Sequence, residues 1–120
     1  MFKFEELRVY QEALSIASEI YSITNSWPKQ ETYGLTDQLR RAVVSIALNI
    51  AEGSSRKIND FRHFLDLSRG SCYECVAILT IAKSQGYINP QNLSIYYTKL
   101  ESLSKMISAL KKSLTMNNEP

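Results

Sequence analysis

A stripe of polar residues runs through an otherwise apolar segment, QLRRAVVSIALNIAEGSSRK, which spans positions 38 to 57. Its members recur every three or four positions, as on one face of a helix, and they are Gln38, Arg41, Ser45, Asn49 and Glu52. Three kinds of site would use such a stripe: an active or metal site, a nucleic-acid surface, or an internal network that fixes how helices pack.

The residues available for catalysis or metal binding are few. His63 is the only histidine, and the sequence contains neither a nucleophile-elbow motif nor a glycine-rich phosphate loop. Metal sites in helical bundles use several carboxylates together with Glu-x-x-His pairs, and here Asp60 stands three residues before His63 instead of glutamate. We therefore expect no enzyme activity, no metal and no cofactor.

Two cysteines, Cys72 and Cys75, lie three positions apart in the segment SCYEC. A redox pair of this spacing follows a strand, and a zinc site needs two more ligands at suitable spacing. Because His63 is the one further ligand of that kind, the pattern favours two small core residues on a helix.

An internal network is the stronger interpretation of the polar stripe. Side chains along one helical face can bond to one another and to a carboxylate on a facing helix, which satisfies polar groups that are costly to bury. The predicted network consists of Gln38, Arg41, Ser45, Asn49, Glu52 and Glu74. If Glu52 is buried in it, Glu52→Ala should cost about 1–3 kcal/mol.

Basic residues around the same segment are candidates for phosphate contacts: Arg40, Arg41, Arg56, Lys57 and Arg62. The net charge of the whole chain is only +2, and acidic residues are interspersed with these basic ones, so a solvated surface is the competing interpretation. RNA, DNA or a partner protein therefore remain alternative partners at this point.

Four amphipathic helices must position these residues. Apolar residues at helical spacing predict a first helix from about Phe4 to Ser26 and a second that ends near Gly53. Asn59 is the predicted N-cap of the third helix and Asn89 that of the fourth. Short joints make neighbouring helices antiparallel, so the sequence predicts an all-α, up-down-up-down four-helix bundle in a single domain over residues 1–120, ordered about 4–114 with a short polar C-terminal tail.

Two apolar rows are predicted to bury the first helix. One contains Leu14 and Tyr21, and the other contains Ala13, Ile16 and Ile20. The second helix is apolar around more of its circumference than a monomeric bundle needs. We therefore expect it either to be central in the bundle or to be covered by another subunit.

The location of the protein follows from what the sequence lacks. No apolar run approaches the roughly 18 residues of a membrane span. The first residues form a charged amphipathic segment, whereas a signal peptide would need an apolar stretch. These features predict a cytoplasmic protein with no membrane partner.

Three segments of the sequence are similar to a known bacterial family: FEELRVYQEA, QLRRAVVSIALNIAEG and FRHFLDLSRGSCYE. They resemble the 23S rRNA intervening-sequence proteins, also called ribosomal protein S23-like, over nearly the whole chain. The resemblance implies an antiparallel four-helix bundle that assembles into a ring-like homo-oligomer, typically a pentamer. A related branch, the accessory protein of diversity-generating retroelements, binds nucleic acid and a reverse transcriptase. The resemblance thus implies a non-catalytic homo-oligomer that either binds nucleic acid or serves as a protein scaffold.

Overall fold

The fold consists of four α-helices, as the sequence predicts. The computed structural model describes the backbone of residues 1–117 and the side chains of residues 1–114. The helices are α1 (Arg8–Thr24), α2 (Leu35–Ser54), α3 (Ile58–Ser84) and α4 (Pro90–Asn117). Short 3-10 helices at Lys3–Glu6 and Lys29–Glu31 precede α1 and α2. Residues 118–120 of the predicted tail lie outside the described residues, and α4 includes the tail residues before them.

The helices pack as an antiparallel four-helix bundle, which confirms the predicted architecture. Each helix contacts the next, and α1 returns to α4, so that α1 and α3 lie diagonally across the bundle. Lys99 of α4 donates to Glu19 of α1 at 2.7 Å across the closing seam. The molecule measures 53 × 24 × 20 Å, as expected for helices whose longest has 28 residues at about 1.5 Å each.

Helix boundaries agree with some of the predicted signals and correct others. The backbone of Leu7 is extended, with ψ near 130°, so α1 begins at Arg8 and not at Phe4. Lys57, not Asn59, occupies the N-cap position of α3. Asn89 does cap α4, since its Oδ1 accepts the backbone N–H of Asn92 at 2.7 Å.

Gly86 ends α3 in a conformation that favours glycine. Its φ is 79°, in the left-handed region. The N–H of Gly86 donates to the carbonyl of Lys83 at 3.0 Å, and the N–H of Tyr87 donates to that of Ala82 at 2.9 Å. These two bonds form a Schellman motif, which satisfies carbonyls at the end of α3.

The joints at one end of the bundle contact each other through Glu31. Its Oε1 accepts the backbone N–H of Leu35 at 3.1 Å, and its Oε2 accepts the hydroxyl of Tyr87 at 2.9 Å. The buried side chain of Trp27 lies against the same tyrosine, with ring centroids 5.9 Å apart. The α1–α2 joint is therefore bound to the α3–α4 joint.

One of the two apolar rows predicted for α1 lies only partly in the core. Ala13, Ile16 and Ile20 are buried, but Leu14 is 48% exposed and Tyr21 is 43% exposed. The prediction that the row of Leu14 and Tyr21 is buried is therefore wrong for these two residues. The rest of that row is buried or packs against the core, so the helix exposes the row only at these two positions.

The large apolar surface of α2 is mostly covered within the bundle. This helix packs against α1, α3 and the N-terminal 3-10 helix, which fits the first of the two predicted arrangements. Leu48 is the exception, with 62% of its surface exposed.

Gly53 marks a close approach between α2 and α3. A Cβ atom at this position would lie 2.6 Å from Cβ of Phe64 and 2.9 Å from Cδ1 of Phe61. In the next turns, the hydroxyl of Ser68 donates to the carbonyl of Ile46 at 2.8 Å. A glycine and a serine thus let these two helices pack closely.

Candidate binding surfaces

The centre of the polar stripe forms a small network between α2 and α3. The amide of Asn49 donates to the carbonyl oxygen and to Oγ of Ser45, both at 2.9 Å. The hydroxyl of Ser71 on α3 donates to Oγ of Ser45 at 3.0 Å. The structure therefore brings two of the six predicted network residues together and adds Ser71.

The ends of the stripe lie on the surface and do not join this network. Arg41 pairs with Asp37 at 3.0 Å and Glu52 pairs with Arg56 at 2.9 Å, each within one turn of α2 or its C-terminal end. Gln38 and Glu74 are exposed. The single continuous network predicted from the sequence is thus not observed, because partners four residues away on the same chain are closer than the facing helix.

Ser68 and Ser71 are polar contacts that the sequence analysis did not identify as such. Both face α2 and both are buried. Their positions in the sequence offer a signal, since each lies on the buried side of α3 together with Cys72 and Cys75. A buried serine on such a face requires an acceptor, and α2 supplies it.

Arg40 connects α2 to α1 and does not extend freely into solvent. Its Nε donates to Oγ1 of Thr24 at 2.9 Å, and its Nη2 donates to Oδ1 of Asn25 at 3.1 Å and to the carbonyl of Tyr21 at 3.2 Å. The guanidinium lies 4.7 Å from the centre of the Tyr21 ring. All these partners are neutral, and no carboxylate of the described residues forms an ion pair with Arg40.

The remaining basic candidates lie around the α2–α3 joint. Arg56 is partly exposed, pairs with Glu52 and lies 5.5 Å from the centre of the Phe64 ring. Lys57 is exposed immediately before α3. Arg62 is half-buried, and within the described residues its Nε has no hydrogen-bond partner. Of the five predicted phosphate contacts, Arg56 and Lys57 are neighbours on one exposed joint. Arg40 and Arg41 lie near the opposite, N-terminal end of α2.

Cys72 and Cys75 are buried, as the sequence analysis predicted. Burial raises the pKa of the Cys72 thiol to about 12. Burial also raises the pKa of Cys75, and the neighbouring Cys72 adds to this shift. Both groups stay protonated near neutral pH and therefore lack the thiolate that redox or metal chemistry uses.

Depressions on the surface of the described residues include a groove and a cleft. A groove of about 790 Å³ runs between the N-terminal 3-10 helix and α2, and Phe2, Phe4, Leu48 and Phe64 are among its apolar walls. A smaller cleft of about 210 Å³ lies between α3 and α4, beside Tyr73 and Tyr97. Within the described part of the chain, no three His, Cys, Asp or Glu side chains are grouped so that they could hold a metal ion. None of the described helices combines the length and the continuous apolar character of a membrane span.

Comparison of the sequence with protein families gives a match to the 23S rRNA-intervening sequence protein family over residues 5–109. The chain belongs to this family. Among solved structures, it is similar to a protein of unknown function from the S23 ribosomal protein family of Bacteroides thetaiotaomicron, with 20% sequence identity and a TM-score of 0.79. The alignment covers 87% of this chain and 95% of that protein. The comparison with curated proteins gave no match.

Membership of the 23S rRNA-intervening sequence protein family confirms the resemblance seen in the sequence. The structural similarity, at its low sequence identity, shows a shared fold. The match also includes the QLRRAVVSIALNIAEG segment, so Gly53 and the Ser45–Asn49 pair lie within the residues that match the family.

Proposed function

We propose that this chain is a non-catalytic subunit of a cytoplasmic homo-oligomer, a pentamer as the family resemblance implies, and that it acts by binding other macromolecules. The observation that carries this proposal is the apolar surface around α2. Phe2 is 71% exposed and Leu48 is 62% exposed, and both line the same 790 Å³ groove. Adjacent apolar side chains of this size commonly mark a contact surface for another protein molecule.

The mass of the purified protein in solution tests self-association. Light scattering at micromolar concentration should give about five times the 13.7 kDa mass of one chain. A mass near 13.7 kDa under these conditions would contradict the proposal. A stable assembly of another size would support the proposed homo-oligomer and contradict only its assignment as a pentamer.

Nucleic-acid binding is a second candidate function, and exposed charge at the α2–α3 joint favours it. Lys57 is exposed next to Arg56, whose pairing with Glu52 is a surface ion pair of small energy that a phosphate can replace. In a ring, every subunit would present this joint, so that the assembly carries several copies of the same weak positive charge. Asp60 and Glu52 lie nearby, so we expect modest affinity.

Titration of fluorescently labelled single-stranded RNA and DNA tests this second function. The wild type should bind more weakly at about 200 mM salt than at about 50 mM, because binding releases counterions. Lys57→Ala should reduce affinity, and Lys29→Ala, which removes an exposed lysine at the other end of α2, is the matched control. If neither nucleic acid binds at the lower salt concentration, the function is contradicted, and a partner protein that persists in a pull-down after nuclease treatment becomes the expected ligand.

A further inference from the structure

The outer side of α3 carries a row of residues that the bundle does not use. Leu67, Gly70, Glu74, Ala77 and Ile81 recur at steps of three and four and are all exposed, with Leu67 at 44% and Ile81 at 50%. We name this row the α3 face. It spans 15 residues, whose first and last members are about 21 Å apart along the helix, and Glu74 is its single charged member.

Gly70 has no explanation within one protomer. It lies inside α3 with an ordinary helical backbone, and a Cβ atom added there would meet nothing within 4 Å. Glycine at such a position makes the helix less stable than alanine would. A glycine between exposed apolar residues is useful where a second helix approaches closely, and no helix of this protomer does so on that side.

A second exposed row lies on α1, diagonally across the bundle. It consists of Leu14, Ser18, Tyr21 and Asn25, again at steps of three and four, and we name it the α1 face. None of these residues is charged. The guanidinium of Arg40, which lies over the Tyr21 ring and donates to Asn25, supplies one positive charge at its edge.

The two faces carry opposite charges, and neither charge has an ion-pair partner among the described residues of the protomer. Arg40 has only neutral partners, and Glu74 forms no ion pair with any described residue. If two α3 faces paired symmetrically about their centre, Glu74 would meet Glu74 of the second copy, and like charges would oppose association. Contact between an α3 face and an α1 face instead places a carboxylate near a guanidinium.

We infer that the α3 face of one copy docks on the α1 face of the next copy, with Glu74 directed toward Arg40. The inference rests on the proposed self-association and assigns the contact between copies to these two faces. The groove beside Phe2 and Leu48 lies outside this contact and is left for the other macromolecules that the proposed function includes. Such a contact is heterologous, because each copy uses two different surfaces. The contact would bury apolar side chains that are 43–50% exposed in the protomer. These are Leu14 and Tyr21 on the α1 face and Leu67 and Ile81 on the α3 face.

The position of the two faces permits a closed ring. The α1 face lies on the side of α1 toward α2, since Arg40 of α2 contacts its Tyr21. The α3 face also lies toward α2, since Ser71, one turn from Leu67, bonds to Ser45 of α2. Both faces therefore lie on the α2 side of the line that joins α1 to α3. Each added copy is then rotated in the same direction, so that the chain of contacts can close into a ring with α2 on its inner side.

Substitutions on the α3 face test the inference by solution mass over a dilution series. Glu74→Lys and Gly70→Gln should each raise the apparent dissociation constant of the oligomer at least tenfold. Glu101→Lys is the matched control, because Glu101 is an exposed glutamate on α4 outside both faces, and it should leave the mass unchanged. Circular dichroism of each variant should show the wild-type helix content.

Cross-linking between different variants tests the pairing of the faces. Gly70→Cys and Ser18→Cys proteins, mixed and treated with a short bis-maleimide, should give a covalent dimer that neither variant gives alone. The native cysteines do not compete, since both are buried. Dimers from Gly70→Cys alone would overturn the inference in favour of a symmetric contact.

The possible failures are distinguishable. If Glu74→Lys and Gly70→Gln keep the wild-type mass and affinity, the α3 face is not the interface, and the proposed oligomer stands. If the wild type itself is a monomer, both the inference and the proposed self-association are overturned.

Discussion

Gly53 and Gly70 lie inside helices, yet their surroundings give them opposite roles. Gly53 is buried, and an added Cβ would lie 2.6 Å from Cβ of Phe64, an atom fixed close to the α3 backbone. Gly70 has open space around it. The first glycine is needed for the packing of α2 on α3, whereas the second is not needed for the fold of a single protomer.

We predict that Gly53→Ala lowers the free energy of unfolding by about 1–3 kcal/mol, because the added methyl group forces the two helices apart. In the dissociated protomer, Gly70→Ala should instead raise it by about 1 kcal/mol through helix propensity alone. Chemical denaturation of both variants, at a protein concentration low enough for any oligomer to dissociate, measures the difference. Equal effects of the two substitutions would contradict the close approach at Gly53.

The buried thiols give a second prediction at the residue scale. Because burial raises the pKa of Cys72 to about 12, the folded protein at pH 8 should react with a thiol reagent at least a hundredfold more slowly than the unfolded protein. The unfolded thiols ionise near pH 8.5, so the folded state should lose stability as the pH rises above that value. Rapid reaction of either native thiol at pH 8 would be inconsistent with this burial.

At the scale of elements, the stripe on α2 divides into a packed centre and two solvated ends. Its centre joins Ser45 and Asn49 to Ser71 of α3, while Arg41 and Glu52 find partners four residues away. The sequence placed these residues on one face correctly. It could not show which of them the neighbouring helix covers, because that depends on the rotation of α2 about its axis.

This division greatly reduces the loss of stability that the sequence predicts for substitution of Glu52. Because the Glu52–Arg56 pair is about half exposed, Glu52→Ala should change the free energy of unfolding by less than about 0.5 kcal/mol. Ser68→Ala should cost about 1 kcal/mol, since the hydroxyl is buried and donates to Ile46 across the helix pair. Urea denaturation of the two variants checks this order, and a larger effect at Glu52 would place the stripe in the interior.

At the scale of the whole molecule, the periodic pattern was sufficient to predict four antiparallel helices. On α4, apolar residues at heptad spacing form a single row, and its Tyr96, Leu100, Leu103 and Ile107 are buried. On α1, two rows have the same spacing, and only the packed structure shows that Leu14 and Tyr21 lie outside the core. The partners of Arg40 also required the structure, because Thr24 and Asn25 are about 15 residues away in sequence.

The contact between the two joints makes Trp27 an intrinsic optical probe. It is the single tryptophan of the chain, and it lies in the core beside Tyr87. Its fluorescence therefore reports the docking of the α1–α2 joint on the α3–α4 joint, whereas circular dichroism reports the helices. Followed together during refolding, the two signals separate helix formation from closure of this end of the bundle without any added label.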